Sequence, residues 1–264
     1  MAARISRARR FVESAELYDA IYQFKNYKRE CERLRALIDE AVPAARTLLD
    51  VACGTGEHAR FLREHFAIDG VDINEDYLHA ARQKNPGGDY MRLDMTGFDL
   101  GRTYDVVTCL FSAIGRVMTF ERLERTIASM VRHVRPGGAL IVEPWFTPDQ
   151  WKPGSLFVHA GEIGTTKVCR MSLSGREGDT STLLYHYLRG TPENVEHHTE
   201  RLELALFTRD EMTWAFESAE MAVRYDSEGL MGRGLYRPRS ASKTARTGYA
   251  QGRVADASGT ILRR

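Results

Sequence analysis

From residue 46 onward the chain alternates between two hydrophobic periods. Short apolar runs predict strands at 46–51, 67–71, 89–93, 105–110 and 139–142. Between them, apolar residues spaced by three and four predict helices at 57–66, 75–84 and 120–133. Upstream, 10–25 and 27–42 carry the helical spacing, and Pro43 stops the second of these. Strand–helix alternation predicts a parallel sheet with helices on both faces. Ligands of such sheets sit beyond the carboxyl ends of the strands, near the switch point.

Around Trp145 the pattern changes. Residues 155–206 hold no helical period; extended runs at 166–173, 180–188 and 195–207 are separated by the turn-rich segments 174–178 and 190–194. They predict an antiparallel sheet inserted after the fifth strand. Thr208-Arg209-Asp210-Glu211 matches a capping box and opens a helix to Ser218. Two last strands are expected at about 221–226 and 232–236. From Arg237 the chain is rich in Ser, Ala, Thr, Gly and Arg without periodicity, the composition of a disordered tail. The expected division is therefore helices over 1–45, an α/β core over 46–145, an inserted β unit over 146–206, completion of the core over 207–236 and a disordered tail over 237–264.

Composition narrows the class. The 264 residues are 43% hydrophobic with a net charge of +1, which permits an ordinary core and argues against a dedicated nucleic-acid binder. No run has the roughly 18 apolar residues of a membrane span. The basic start, Met-Ala-Ala-Arg-Ile-Ser-Arg-Ala-Arg-Arg, lacks the apolar stretch of a signal peptide. Cys31, Cys53, Cys109 and Cys169 are far apart and form no CxxC, as expected for reduced thiols of a cytoplasmic protein.

The chemistry concentrates in Asp50-Val51-Ala52-Cys53-Gly54-Thr55-Gly56, a strand ending in a glycine turn that leads into a helix. Glycine tolerates positive φ and lets backbone approach a ligand closely. The helix behind directs unpaired N–H groups at it. Gly54-x-Gly56-x-x-Ala59, with Asp72 downstream, formally satisfies the dinucleotide fingerprint. An NAD(P)-dependent oxidoreductase is therefore one reading.

The second reading is a resemblance. Asp50-x-x-Cys53-Gly54-x-Gly56 resembles motif I of class I S-adenosylmethionine (SAM) methyltransferases. Asp94-Met95 matches their adenine-binding pair, and Arg135-Pro136-Gly137-Gly138 their turn before strand five. Three motifs in order favour SAM over a dinucleotide. The resemblance implies a Rossmann-like seven-stranded methyltransferase sheet carrying the inserted antiparallel sheet. More narrowly, the chain resembles the N,N-dimethyltransferases that act on dTDP-linked 3-amino-deoxysugars in macrolide biosynthesis. Leu17-Tyr18-Asp19, Tyr27-x-Arg29-Glu30, Phe111-Ser112-Ala113-Ile114-Gly115 and Val142-Glu143-Pro144-Trp145 carry it in the core. His186-Tyr187-Leu188, His197-His198-x-Glu200, Leu206-Phe207-Thr208 and Gly232-Arg233-Gly234-Leu235 extend it across the insertion.

The resemblance implies SAM as cofactor and a small-molecule methyl acceptor, with a homodimer left open. N-terminal helices would cover the cofactor, and the insertion would form a lid over the acceptor. Cofactor contacts are expected from Tyr27, Asp50, Ala52, Gly54, Gly56, Asp72, Ile73, Asp94, Met95, Leu110 and Phe111. Within that set Asp72 would accept from the ribose hydroxyls, Asp94 from the adenine amine, and Asp50 would orient the loop or meet the methionine ammonium. Lys28 and Arg29 could reach the cofactor carboxylate. Acceptor contacts are expected from Tyr22, Ser112, Trp145, His186 and Arg233, and reacting-centre contacts from Tyr18, Arg116 and Glu143. His186, His197 and His198 lack a carboxylate or cysteine set to complete a metal site.

One position departs from the family. Its Ser-x-Ile-Gly phrase is followed by a histidine that can serve as base; here the residue is Arg116. A guanidinium stays protonated and cannot accept a proton. The departure suits an amine acceptor, which needs only to lose a proton, better than an alcohol, which benefits from a base. Arg116 is expected to anchor an anionic part of the acceptor, because beside a sulfonium it needs a shared anion. O- or C-methylation of another small metabolite remains the alternative.

Overall fold

A computed structural model of the chain describes residues 14–238. The expected helical start at 10–13, the basic amino terminus and the tail beyond 238 lie outside the described residues. Two helices come first, α1 (Ala15–Ile21) and α2 (Tyr27–Ala41). Asn26 caps α2 by accepting from the Arg29 amide, the usual way of satisfying a first-turn donor. The helix expected over 10–25 is shorter within the described residues, because the chain turns at 22–25 before Asn26 restarts it.

The core follows as β1 (Thr47–Val51), α3 (Glu57–Leu62), β2 (Ala67–Asp72), α4 (Glu75–Lys84), β3 (Tyr90–Arg92), β4 (Tyr104–Cys109), α5 (Phe120–Arg132) and β5 (Val134–Val142). It is completed by α6 (Arg209–Ser218), β10 (Val223–Asp226) and β11 (Leu235–Pro238). The sheet has seven strands in the order β10-β11-β5-β4-β1-β2-β3. β1 to β5 pair in parallel, and β11 joins β5 antiparallel. Strand order reverses between β1 and β4, which locates the crevice. Leu49, Val51, Val107, Leu140 and Val142 bury one face against α5 and α6. Leu48, Val106, Ala139 and Ile141 bury the other against α2, α3 and α4. This is why these strands read as continuous apolar runs.

Three strand starts differ from the sequence expectation by two residues or more, α3 ends at Leu62 instead of 66, and Arg237 and Pro238, expected in the tail, belong to β11. β5 starts at Val134, and the Pro136-Gly137-Gly138 turn is absorbed as a shift in its register with β4. β10 starts at Val223, because the Met221 amide still closes on the Phe216 carbonyl. β11 starts at Leu235, after the positive-φ residues Gly232 and Gly234.

The insertion is a four-stranded antiparallel sheet of β6 (Leu156–Ile163), β7 (Thr166–Glu177), β8 (Thr180–Gly190) and β9 (Val195–Ala205). Residues 174–178, expected as a turn, belong mostly to β7; only Gly178 (φ 59) and Asp179 connect it to β8. β6 escaped the sequence because Leu156, Phe157 and Val158 are all exposed and show no alternation. The chain approaches closely there: a Cβ on Gly161 would meet the Ala20 carbonyl oxygen at 2.0 Å. Ala20 and Ile21 of α1 share a small core with Val168, Leu183, Tyr185, Tyr187 and Leu204 of the inserted sheet.

Candidate active site

The end of β1 turns sharply: Ala52, Gly54 and Gly56 have φ of 58, 57 and 77°. The two glycines do different work. A Cβ on Gly54 would meet nothing within 4 Å, whereas one on Gly56 would meet the Ala81 backbone of α4 at 2.9 Å. Gly54 therefore keeps the floor of the crevice clear. Gly56 was expected at the cofactor, but its close neighbour is α4 and it does not reach the crevice wall.

Acidic groups surround this turn. Asp72 accepts from the Gly54 amide and the Asn74 amide, each at 2.9 Å, one on each carboxylate oxygen. Burial pushes its carboxyl upward, against the pull of those amides and of the Arg116 charge. Asp50 is 3% exposed and accepts from the Thr108 hydroxyl at 2.9 Å. Burial, with some help from Asp72, lifts it to about 6 against the His58 charge and the Thr108 bond. Asp94 accepts from the Thr96 amide and hydroxyl, which with Arg122 and Arg125 outweigh burial and hold it below the ordinary range. The Thr55 hydroxyl donates to Asp19 of α1 at 2.5 Å, and Lys84 bridges Asp19 and Glu57 at 2.6 Å each.

The end of β4 is strained. Phe111 and Ser112 both take positive φ, 53 and 61°, at a cost of about 1–2 kcal/mol each. Glu143 holds the first by accepting the Phe111 amide at 2.7 Å, and the Ser112 hydroxyl donates to the Pro144 carbonyl at 2.7 Å. The other Glu143 oxygen pairs with Arg233 at 3.2 Å. Glu143 is wholly buried and absent from the crevice wall. The expectation that it meets the acceptor is corrected: its oxygens are spent on the loop and on Arg233.

These elements and the inserted sheet enclose one cavity of about 1010 Å³. Single-ligand pockets run to roughly 300–1,000 Å³, so there is room for a cofactor and a second molecule. Tyr18, Tyr22, Tyr27, Asp50, Ala52, Gly54, Asp72, Ile73, Asp94 and Met95 line it, as do Leu110, Phe111, Ser112, Arg116, Trp145 and Arg233. Tyr18, Tyr22 and Tyr77 form an aromatic wall, with ring centroids 4.6 and 5.0 Å from Tyr18. Burial raises the Tyr18, Tyr27 and Tyr77 hydroxyls well above their ordinary value, so they serve as donors. Arg116 makes no ion pair among the described residues, though Asp72, Tyr18, Tyr77 and Tyr185 all feel its charge.

His186 is corrected. It is exposed on the outer face of β8, stacked on His197 at 5.4 Å, while Tyr185 and Tyr187 on the same strand are buried. Lys28 and Arg29 are exposed and outside the cavity wall. Among the described residues no group of three or more His, Cys, Asp or Glu is arranged to hold a metal.

Sequence reasoning missed Arg170, Tyr77 and Lys25. Lys25 is buried, meets Glu30 at 3.1 Å and lies 3.5 Å over the Phe111 ring, while His58 also meets Glu30 at 3.1 Å. Nothing in the residue order signals this triad. Arg170 could have been found, since it follows buried Val168 by one period of the strand.

The donor set fits an adenosyl cofactor. Open space lies before Gly54, and carboxylates stand at or just past the ends of β1, β2 and β3 in Asp50, Asp72 and Asp94. The comparisons agree. Residues 48–138 match the family described as a methyltransferase domain. The chain is 40% identical over 228 residues to the dTDP-3-amino-3,6-dideoxy-alpha-D-glucopyranose N,N-dimethyltransferase of Streptomyces fradiae, covering 85% of this chain and 89% of that one. Its fold matches the crystal structure of Streptomyces venezuelae DesVI with a TM-score of 0.81 at 34% identity, over 85% of this chain and 98% of that one. It also matches the SAM-bound amino pentose methyltransferase of Micromonospora echinaspora calicheamicin biosynthesis, with a TM-score of 0.78 at 33% identity, over 84% and 95%.

Proposed function

The chain belongs to the family of SAM-dependent sugar N-methyltransferases, and we propose from that premise that it N-methylates the amine of a nucleotide-linked amino sugar. The carrying observation is the cavity: one half is walled by Asp50, Gly54, Asp72 and Asp94, the other by the inserted sheet. The 40% identity spans both halves. SAM supplies a methyl group activated on a sulfonium; the dinucleotide alternative has no such support.

The residues divide the work. Asp72 and Asp94 hold the ribose and adenine, and Asp50 the methionine ammonium. Trp145, Tyr22 and residues 156–205 enclose the acceptor as a lid and exclude water. Holding an amine in near-attack position can contribute about 7–11 kcal/mol. Arg116 stands where the family has histidine. We assign it an electrostatic role: a fixed cation disfavours the ammonium form of a nearby amine, so the acceptor presents its lone pair without a base. The anion that a cation beside the sulfonium needs is the chain's own Asp72, which feels the Arg116 charge.

Each transfer forms a C–N bond as the S–CH3 bond breaks, releases S-adenosylhomocysteine and leaves an ammonium that gives one proton to solvent. Two such transfers, each with its own SAM, give an N,N-dimethyl product, as named for the relatives. The exposed face of the inserted sheet carries Met171, Leu184, Leu188 and the His186–His197 stack, and we assign the contact of a homodimer to it. The test incubates the chain with isotopically labelled SAM and dTDP-linked 3-amino-3,6-dideoxyglucose, followed by mass spectrometry. Mono- and dimethylated nucleotide sugar is expected. Label on oxygen or carbon, or none, refutes the reading.

A further inference from the structure

One cation in the cavity wall is both buried and without an ion pair among the described residues. Arg170 is 5% exposed, and no carboxylate pairs with it among the described residues. Its side chain points inward because β7 alternates, burying Val168, Arg170, Ser172 and Ser174 on one face. Its register partners are His159 on β6 and Tyr187 on β8. The guanidinium donates to the Tyr22 hydroxyl at 3.0 Å and meets the His159 ring at 3.4 Å. It lies between the rings of Tyr22 and Tyr185, 4.9 and 4.7 Å from their centroids. Its Nε is buried with no partner.

All these neighbours are neutral. Burial and the Arg170 charge itself hold His159 below the ordinary imidazole range, so it does not add a second cation. Cation–π contacts stabilise a guanidinium only modestly. Withdrawing an unpaired charge from water costs more than such contacts return. The aromatic sandwich therefore orients the guanidinium without fully offsetting its desolvation, and an anion would complete the site. Arg233 in the same wall and Lys25, buried outside its lining, have carboxylates of their own at 3.2 and 3.1 Å. Arg116 is exposed, so water solvates it.

We propose that Arg170 is the anion anchor of the acceptor half of the cavity, taking phosphate oxygens of a nucleoside diphosphate through the Nη1 and Nη2 donors that Tyr22 and His159 leave unused. The proposal rests on the nucleotide-sugar reading above and adds the residue that grips the diphosphate. Exposed Phe24, stacked on His159 at 4.3 Å, lines the same part of the wall. A guanidinium matches phosphate geometry with two parallel donors, which an ammonium cannot do.

Calorimetry on the full chain, saturated with S-adenosylhomocysteine, tests this with thymidine diphosphate as probe. Arg170→Gln should weaken the nucleotide by about 10–100-fold, the range of a lost charged hydrogen bond or pair. Affinity for thymidine and for S-adenosylhomocysteine should hold. Arg170→Lys should show a smaller loss with the same selectivity, and it serves if the glutamine variant does not fold. Unchanged nucleotide affinity in both variants, or a loss shared equally by thymidine, overturns the proposal alone. Failure of the unaltered chain to bind thymidine diphosphate overturns it together with the nucleotide-sugar reading.

Discussion

Glu143 and Arg233 meet at 3.2 Å, and the same carboxylate holds the strained Phe111 amide at 2.7 Å. One wholly buried residue thus fixes two parts of the cavity wall without facing it. Glu143→Gln should lower stability in urea by about 3 kcal/mol, since breaking a buried pair strands the other charge. A carboxylate that served only to bind the acceptor would instead raise KM and leave stability alone.

The two glycines should separate in the same way. Gly54→Ala, at φ 57 with open space before it, should cost only about 1–2 kcal/mol of stability yet abolish detectable S-adenosylhomocysteine binding. Gly56→Ala adds a backbone contact of 2.9 Å with Ala81 to the same φ penalty. Its stability loss should be larger, roughly 3 kcal/mol. Denaturation and calorimetry on both variants check the pair.

Asp72→Asn should weaken S-adenosylhomocysteine by about 1.5–3 kcal/mol, the range for hydrogen bonds to a charged group. The calorimetric Kd at neutral pH reads this directly. An unchanged affinity would remove Asp72 from the ribose site.

Asp50 should impose a pH dependence. Its folded value of about 6 lies above the roughly 3.9 of an unfolded aspartate. The stability it contributes is complete below the unfolded value and is lost as pH rises through 6, up to about 3 kcal/mol. Cofactor binding runs the other way: an ammonium ligand needs the carboxylate, so affinity should rise with pH through the same region. Asp50→Asn should flatten both curves in denaturation and calorimetric titrations.

Removing the Arg116 charge should move the acidic limb of kcat to higher pH by on the order of one unit, because the bound acceptor amine regains basicity. Arg116→Lys should keep the original limb. A pH–rate series on the alanine and lysine variants decides it; coincident limbs would show that the charge does not act on the amine.

Much of this was legible in the residue order. The β1 turn, the capping box at Thr208–Glu211 and the parallel core all follow from local pattern, and the structure has them. Failures arose where tertiary contact overrides pattern. β6 has no burial alternation because Leu156, Phe157 and Val158 are all exposed, Phe157 within the cavity wall. Glu143 reads like an active-site acid, but its pairing with Arg233 joins positions ninety residues apart. His186 and Arg170 were decidable by strand parity, one residue from buried Tyr185 and two from buried Val168, but no residue type announced it.

α1 buries Ala20 and Ile21 against the inserted sheet, while Asp19 on the same helix is held by Thr55 of the β1 turn. For anyone recombining such enzymes, the exchangeable cassette is consequently not residues 156–205 alone. A chimera that takes the sheet must bring residues 15–21 with it, and must keep a hydroxyl at position 55 to receive them.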